Sequence, residues 1–197
     1  KANEMQEMKS ALGTVAYVPR VIGQEINESG DIVPGNASGI VLDYVTIENI
    51  YPLSWQNGYI SECAFSSEVT RGGKDYLYLQ IHRRENNGNY VIENRIYRYD
   101  NEQLADDQLV NVKGFENIPP VVHTGSDKRQ FVIDRPNISN NVNYLLPTGI
   151  AIYANAIDVL QGVDIAYDSY VNEFKLGKKR IMVKPSAAQY LDGTPAF

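Results

Sequence analysis

The side chains best suited to chemistry in this sequence are few and scattered. There are two histidines, His82 and His123, and one cysteine, Cys63. The histidines lack the HxxxH or HExxH spacing that puts two imidazoles on one face of a helix for a metal. A single cysteine rules out an intramolecular disulfide and a zinc site built on thiolates. Asp43 with Glu62, or Asp158 with Asp164, are the carboxylate pairs available for acid–base work, but no pattern brings either pair across a cleft. "RGGK" (71–74) lacks the spacing of a phosphate-binding loop and reads as a hairpin turn. "DRPNISNN" (134–141) is rich in Asx oxygens without the periodicity of a calcium loop. No GxSxG elbow is present. The expectation is a protein that is not an enzyme and needs no cofactor or metal.

Two features remain that surface recognition could use. One is a run of tyrosines in "DYLYLQIHRRE" (75–85), where Tyr76, Tyr78, Gln80 and His82 share a strand face opposite Leu77, Leu79 and Ile81. It is expected to be an outer face. The other is a group of acids near the end of the chain, Asp158, Asp164, Asp168 and Glu173, followed by the basic cluster Lys178, Lys179 and Arg180. A solvated helix face accounts for the acids, and the favourable interaction of cations with a helix C-terminus accounts for the cluster. The sharper alternatives are a surface kept negative, such as a pore lining, and a contact to phosphate.

What must position these residues follows from composition and periodicity. The 197 residues are 43% hydrophobic and 21% charged, enough for a core in one domain or one domain with an appendage. The net charge of −6 argues against a broad basic face for gripping nucleic acid, though not against a channel that lets DNA pass. No apolar run is long enough to span a membrane. The chain starts "KANEMQEMKS" and stops at "LDGTPAF", and the expectation is a piece of a longer product.

Met5, Met8 and Leu12 at helical spacing, then Gly13, predict a helix over residues 1–12. "TVAYVPRV" predicts a short strand ended by Pro19, and "IVLDYVTI" (40–47) another. Strands at 59–70, 75–85 and 90–100 form an antiparallel meander, with Asn87-Gly88 as a hairpin signal. Residues 101–120 read as a polar connection that leaves His123 in a loop, and "QFVIDRP" (130–136) as one more extended stretch.

From Thr148, a candidate N-cap, to Gly177 the pattern predicts one helix about 40 Å long. One apolar seam runs through Ile150, Tyr153, Ile157, Leu160, Tyr167, Val171 and Phe174, interrupted at Asp164. A second stripe contains Ile152, Ala156, Val159, Val163, Ala166 and Tyr170. Two stripes call for two neighbours, and the chain offers no second helix of that length. Copies of itself are the economical answer.

"NISNNVNYLLPTGIAIYANAIDVLQGVDIAYDSYVNEFKLGKKRIMV" resembles the portal proteins of tailed phages that infect Gram-positive bacteria. "IENIYPLSWQNGYISECAF" looks like an upstream part of the same proteins. The resemblance implies a homo-oligomeric ring, usually of about twelve subunits, at one vertex of the phage head. DNA passes through its centre, driven by the terminase motor, and connector, scaffold and capsid proteins are its other partners. It places the protein in the virion, and in the bacterial cytoplasm during assembly. It also implies a wing over residues 1–147, a stem helix over 148–177 and the start of a clip over 178–197. The candidate channel-facing or inter-subunit residues are then Tyr153, Ile157, Asp158, Leu160, Asp164, Tyr167, Asp168 and Val171, with Lys178, Lys179 and Arg180 as candidate phosphate contacts. A whole portal also carries a second stem helix, a clip and a crown, which this sequence does not match. The expected fold is α+β: an antiparallel meander followed by one long amphipathic helix. The alternatives are a minor head or adaptor protein of the virion, and a ligand-binding or hydrolytic α+β domain that uses the tyrosine face. The last predicts a concave pocket of convergent polar groups on that face.

Overall fold

Tight turns whose residues tolerate positive φ organise most of the chain. A computed structural model describes residues 2–35, 37–100 and 103–177. The fold is α+β, as expected. Helix α1 (Ala2–Leu12) ends at Gly13, whose amide donates to the Lys9 carbonyl (2.8 Å) and whose φ is +85°. That left-handed conformation suits glycine and little else.

Strands β1 (Val15–Ile22) and β2 (Gly39–Thr46) follow, then β3 (Ile50–Gln56), β4 (Tyr59–Arg71), β5 (Lys74–Arg84), β6 (Tyr90–Asp100) and β7 (Gln103–Asp107). Two short strands come next, β8 (Val121–His123) and β9 (Val132–Asp134). They form two antiparallel sheets. The smaller has the order β2-β1-β9, and the larger β3-β4-β5-β6-β7, with β8 also on β6. The three central hairpin strands lie where their alternation and the Asn87-Gly88 turn predict.

Several expectations need correction. β1 does not stop at Pro19 but continues to Ile22. β9 pairs only with Val15–Tyr17, so past that point β1 has a single neighbour, where a residue without an N–H is tolerated. Residues 50–56 are a strand, closed onto β4 by Asn57-Gly58, with φ of +51° and +75°. Part of the supposed connection 101–120 is β7, and His123 lies in β8 rather than a loop.

The tyrosine face is also not an outer face. Tyr76 and His82 are buried at 7% and 1% exposure, whereas Leu77, Leu79 and Ile81 are half-buried. The reason is what packs on each side. Phe65 of β4, Phe131 and residues of β1 cover one end of the tyrosine face, and Leu109, Val112 and Phe115 cover the other.

Residues up to Ile152 form one compact unit and those from Tyr153 a second. In the second, a short 3-10 turn (Ala154–Ala156) leads into α2 (Ile157–Leu176), which stops at Gly177 as expected. The helix starts at Ile157 and not at Thr148, so it spans 20 residues and is about 30 Å long. Residues 148–152 are held elsewhere. Asn140 donates to the Thr148 carbonyl (3.0 Å), Gly149 donates to Thr14 Oγ1 (2.8 Å), and Ile152 donates to the Ser10 carbonyl (3.0 Å). Gly13 and Gly149 approach so closely that a Cβ on either would overlap the other's segment. Among the described residues, no helix is long and apolar enough to cross a membrane.

Candidate functional site

Helix α2 carries most of the residues singled out from sequence. It carries Asp158 in its first turn and Lys175 in its last, both favourable to the helix dipole. No residue of it is buried. At roughly 100° per residue, Ile157, Leu160, Tyr167, Val171 and Phe174 form one stripe. Val159, Val163, Ala166 and Tyr170 form a second directly beside it. The two stripes therefore merge into one apolar band covering nearly half the helix, rather than two separate faces. Leu160 and Tyr167 are 50% and 64% exposed, and the Tyr170 and Phe174 rings meet at 4.6 Å across one turn.

The acids do not share one line. Asp164 and Asp168 are one turn apart, but Asp158 lies roughly 120° around the axis from Asp164. Asp164 falls inside the apolar band, between Ile157 and Val171, Asp168 sits at its edge about 20° past Ile157, and Asp158 lies farther round, beside Ile165. Tyr153 precedes the helix, at the start of the 3-10 turn. Lys178, Lys179 and Arg180, and the whole segment 178–197, lie outside the described residues.

The tyrosine face contributes a second site. Between the two sheets lies an open cleft of about 970 Å³, lined by Arg20 and Asp43 on the small sheet and Ser67, Tyr78 and Gln80 on the large one. Arg20 Nε donates to Asp43 Oδ2 at 3.0 Å, and this hydrogen bond raises the arginine pKa further. Tyr78 donates to Asn94 Oδ1 (2.7 Å), and the Asn94 amide donates to the Pro119 carbonyl (2.7 Å). Burial is the main cause that pushes the Tyr78 phenol up to about 12, so it stays a neutral donor.

The remaining candidates do not assemble. Asp43 is engaged with Arg20, and Glu62 accepts the Arg84 amide (2.8 Å), so the two carboxylates are separately committed. The "RGGK" residues form the β4–β5 turn, with both glycines at positive φ. Asp134 pairs with Lys9 (3.1 Å), and Asn140 Oδ1 accepts the amides of Val142 and Asn143. Those Asx oxygens hold a loop together. His123 Nδ1 lies 3.5 Å from Glu85, while His82 is sealed between Phe65 and Phe131 with both ring nitrogens unpartnered. Among the described residues, no three His, Cys, Asp or Glu side chains converge as a metal site would need.

Sequence reasoning missed the cleft, because Arg20 and Asp43 come from strands far from the tyrosines in the chain. It also missed a Trp55 contact in which the indole donates to the Leu145 carbonyl (3.1 Å) and steadies an exposed apolar loop. Comparison with protein-family models, with curated proteins and with solved structures found no match to this chain.

Proposed function

We propose that the chain is a structural subunit of a phage portal ring, the assembly at a capsid vertex through which DNA is packaged and ejected. The observation that carries this reading is α2: a 20-residue helix with no buried residue, bearing an apolar band nearly half its circumference wide. Exposed apolar surface on that scale belongs at an interface. A band of two adjoining stripes suits contact with two flanking helices, as a ring of copies supplies. Ile157, Leu160, Tyr167 and Val171 are the inter-subunit residues on this reading, Asp168 lies at the rim of that surface, and Asp158 faces away from it, towards a channel or solvent. Terminase, scaffold, capsid and connector proteins are the implied partners, and the virion vertex the implied location. The test is the mass in solution of the full-length protein that carries this sequence, by native mass spectrometry with negative-stain imaging. A closed ring of about a dozen copies with a central hole is expected. A protein that stays monomeric across salt, magnesium and concentration overturns the reading.

One observation favours a second reading, a ligand-binding domain. The cleft beside Tyr78 and Gln80 is a concave pocket of convergent polar groups on the tyrosine face. Thermal-shift screening of small sugars and other polar ligands tests it. A ligand that raises the melting temperature of the native chain and not of Gln80→Ala supports it. A shift that survives Gln80→Ala removes the cleft from consideration.

A further inference from the structure

Among the described residues, the two ring nitrogens of His82 are the only buried side-chain N or O atoms without a hydrogen-bond partner. The residue is 1% exposed and sits where the two sheets meet. Phe65 of β4 and Phe131, just ahead of β9, stand edge-on to the imidazole, each with its ring centre 5.4 Å away. Ala16 and Val18 of β1 join Ile60, Cys63 and the two phenylalanines in one apolar cluster. Nothing around the ring is placed to compensate a positive charge. The facing residue on β4 is Cys63, whose thiol burial pushes up to about 12, so it stays neutral. The facing residue on β6 is Ile92. The segment before β9 brings a like charge, since the Arg129 guanidinium lies 5.3 Å from the Phe131 ring centre, and its Asp127 and Lys128 are exposed. A protonated imidazole in this place must gain water, because an unpaired buried charge is far too costly.

The enclosure has a weak side. β5 is paired with β4 and with β6 at nine positions each. Phe131, by contrast, follows the irregular segment 124–130 and precedes β9, which pairs with β1 at only three positions. Arg129 tethers that segment by donating to the Ile60 carbonyl (2.7 Å) and by stacking on the Tyr59 ring at 4.2 Å. A part with so few paired backbone groups opens locally before the whole domain unfolds.

We propose that His82 is a proton-operated catch on the seam between the sheets: its protonation releases Phe131 and β9, admits water to the ring and bares Cys63, while β4, β5 and β6 stay paired. Burial holds the closed ring's pKa at about 4, against 6.5 for the free side chain. Between those values the open state binds a proton that the closed state lacks, so opening grows more favourable as the pH falls. From pH 7 to pH 5 the open fraction rises roughly twenty-fold. The device belongs to the sheet domain and does not rest on the portal reading.

Cys63, the single cysteine and fully buried, reports the opening. Its labelling by dithiodipyridine, a disulfide reagent that stays reactive in acid, is followed beside far-UV circular dichroism and normalised to the urea-unfolded chain. The normalised rate is expected to rise roughly twenty-fold from pH 7 to pH 5 with the dichroism unchanged. His82→Leu and His82→Gln, which carry no titrating ring, are expected to show no such rise. Deuterium uptake, corrected for intrinsic exchange, is expected to increase in acid across residues 124–134 and not across 75–98. A rate that does not rise, a rise that comes only with loss of the dichroism signal, or a rise that persists in either variant overturns the proposal. Should neither variant fold, the deuterium pattern of the native chain decides, and an equal gain in both stretches overturns it.

Discussion

At the scale of single residues, His82 is the group whose surroundings say most about stability. It is 1% exposed, flanked edge-on by Phe65 and Phe131, and neither ring nitrogen has a partner. Burial holds its pKa down at about 4, against 6.5 for the free side chain. Between those values the unfolded chain binds a proton that the folded chain does not, so stability rises with pH there and falls as the solution is acidified. The full difference is about 3 kcal/mol, of which about 2 kcal/mol is lost between pH 7 and pH 5. Urea unfolding at those two pH values checks this, and His82→Leu is expected to flatten the difference. An unchanged difference in His82→Leu would assign the acid sensitivity to carboxylates instead. Asn94 is the second such residue, because it satisfies both the Tyr78 hydroxyl and the Pro119 carbonyl from one buried amide. Asn94→Ala is expected to lower the unfolding free energy by about 1–3 kcal/mol in the same assay. That His82 sits on a strand face was legible from alternation. Which face is inside was not, since tyrosines and leucines are both apolar enough to be buried. Phe131 and Phe115, distant in the chain, decide it.

At the scale of elements, the parts legible in sequence are those whose signals are local. The meander of β4, β5 and β6 follows from alternation and from glycine turns, and α1 and the stop at Gly177 follow from periodicity and capping. β3 escaped because Pro52 and the two irregularities break its alternation, although Asn57-Gly58 is as good a hairpin signal as Asn87-Gly88. The start of α2 was misplaced because residues 148–152 keep helical spacing while Thr14 and Ser10 claim their amides. Tertiary hydrogen bonds win over periodicity there. Within α2, Asp164 interrupts the apolar band between Ile157 and Val171. Asp164→Leu completes the band, and self-association measured by sedimentation is expected to tighten by roughly tenfold, as one newly buried leucine allows. Unchanged association would place Asp164 at a pore or in solvent, outside the packed surface.

At the scale of the whole molecule, the core and the helix proposed for assembly lie in different parts of the chain. Both apolar clusters draw only on residues before Ile152, one centred on Phe65 and Phe131 and the other on Ile96 and Phe115. The segment 148–152 is also tied into that unit, through Thr14, Ser10 and Asn140. By contrast, α2 has no buried residue to contribute to a core. A chain ending at Ile152 should therefore keep its fold and lose its capacity for helix-mediated association. Its thermal unfolding midpoint is expected within a few degrees of the native value, because no core side chain is removed. A chain ending at Pro147 should do worse, since it gives up the hydrogen bonds of residues 148–152 to Ser10, Thr14 and Asn140. Removing three such bonds is expected to lower the midpoint by roughly six to twelve degrees, at about 1 kcal/mol for each. Circular dichroism melts of the two truncations, read beside sedimentation, separate these effects. If the chain ending at Ile152 melts as early as the one ending at Pro147, α2 helps hold the sheets together and the division of labour fails. If both truncations melt late and only the native chain associates, the helix is an assembly device mounted on a domain that stands without it.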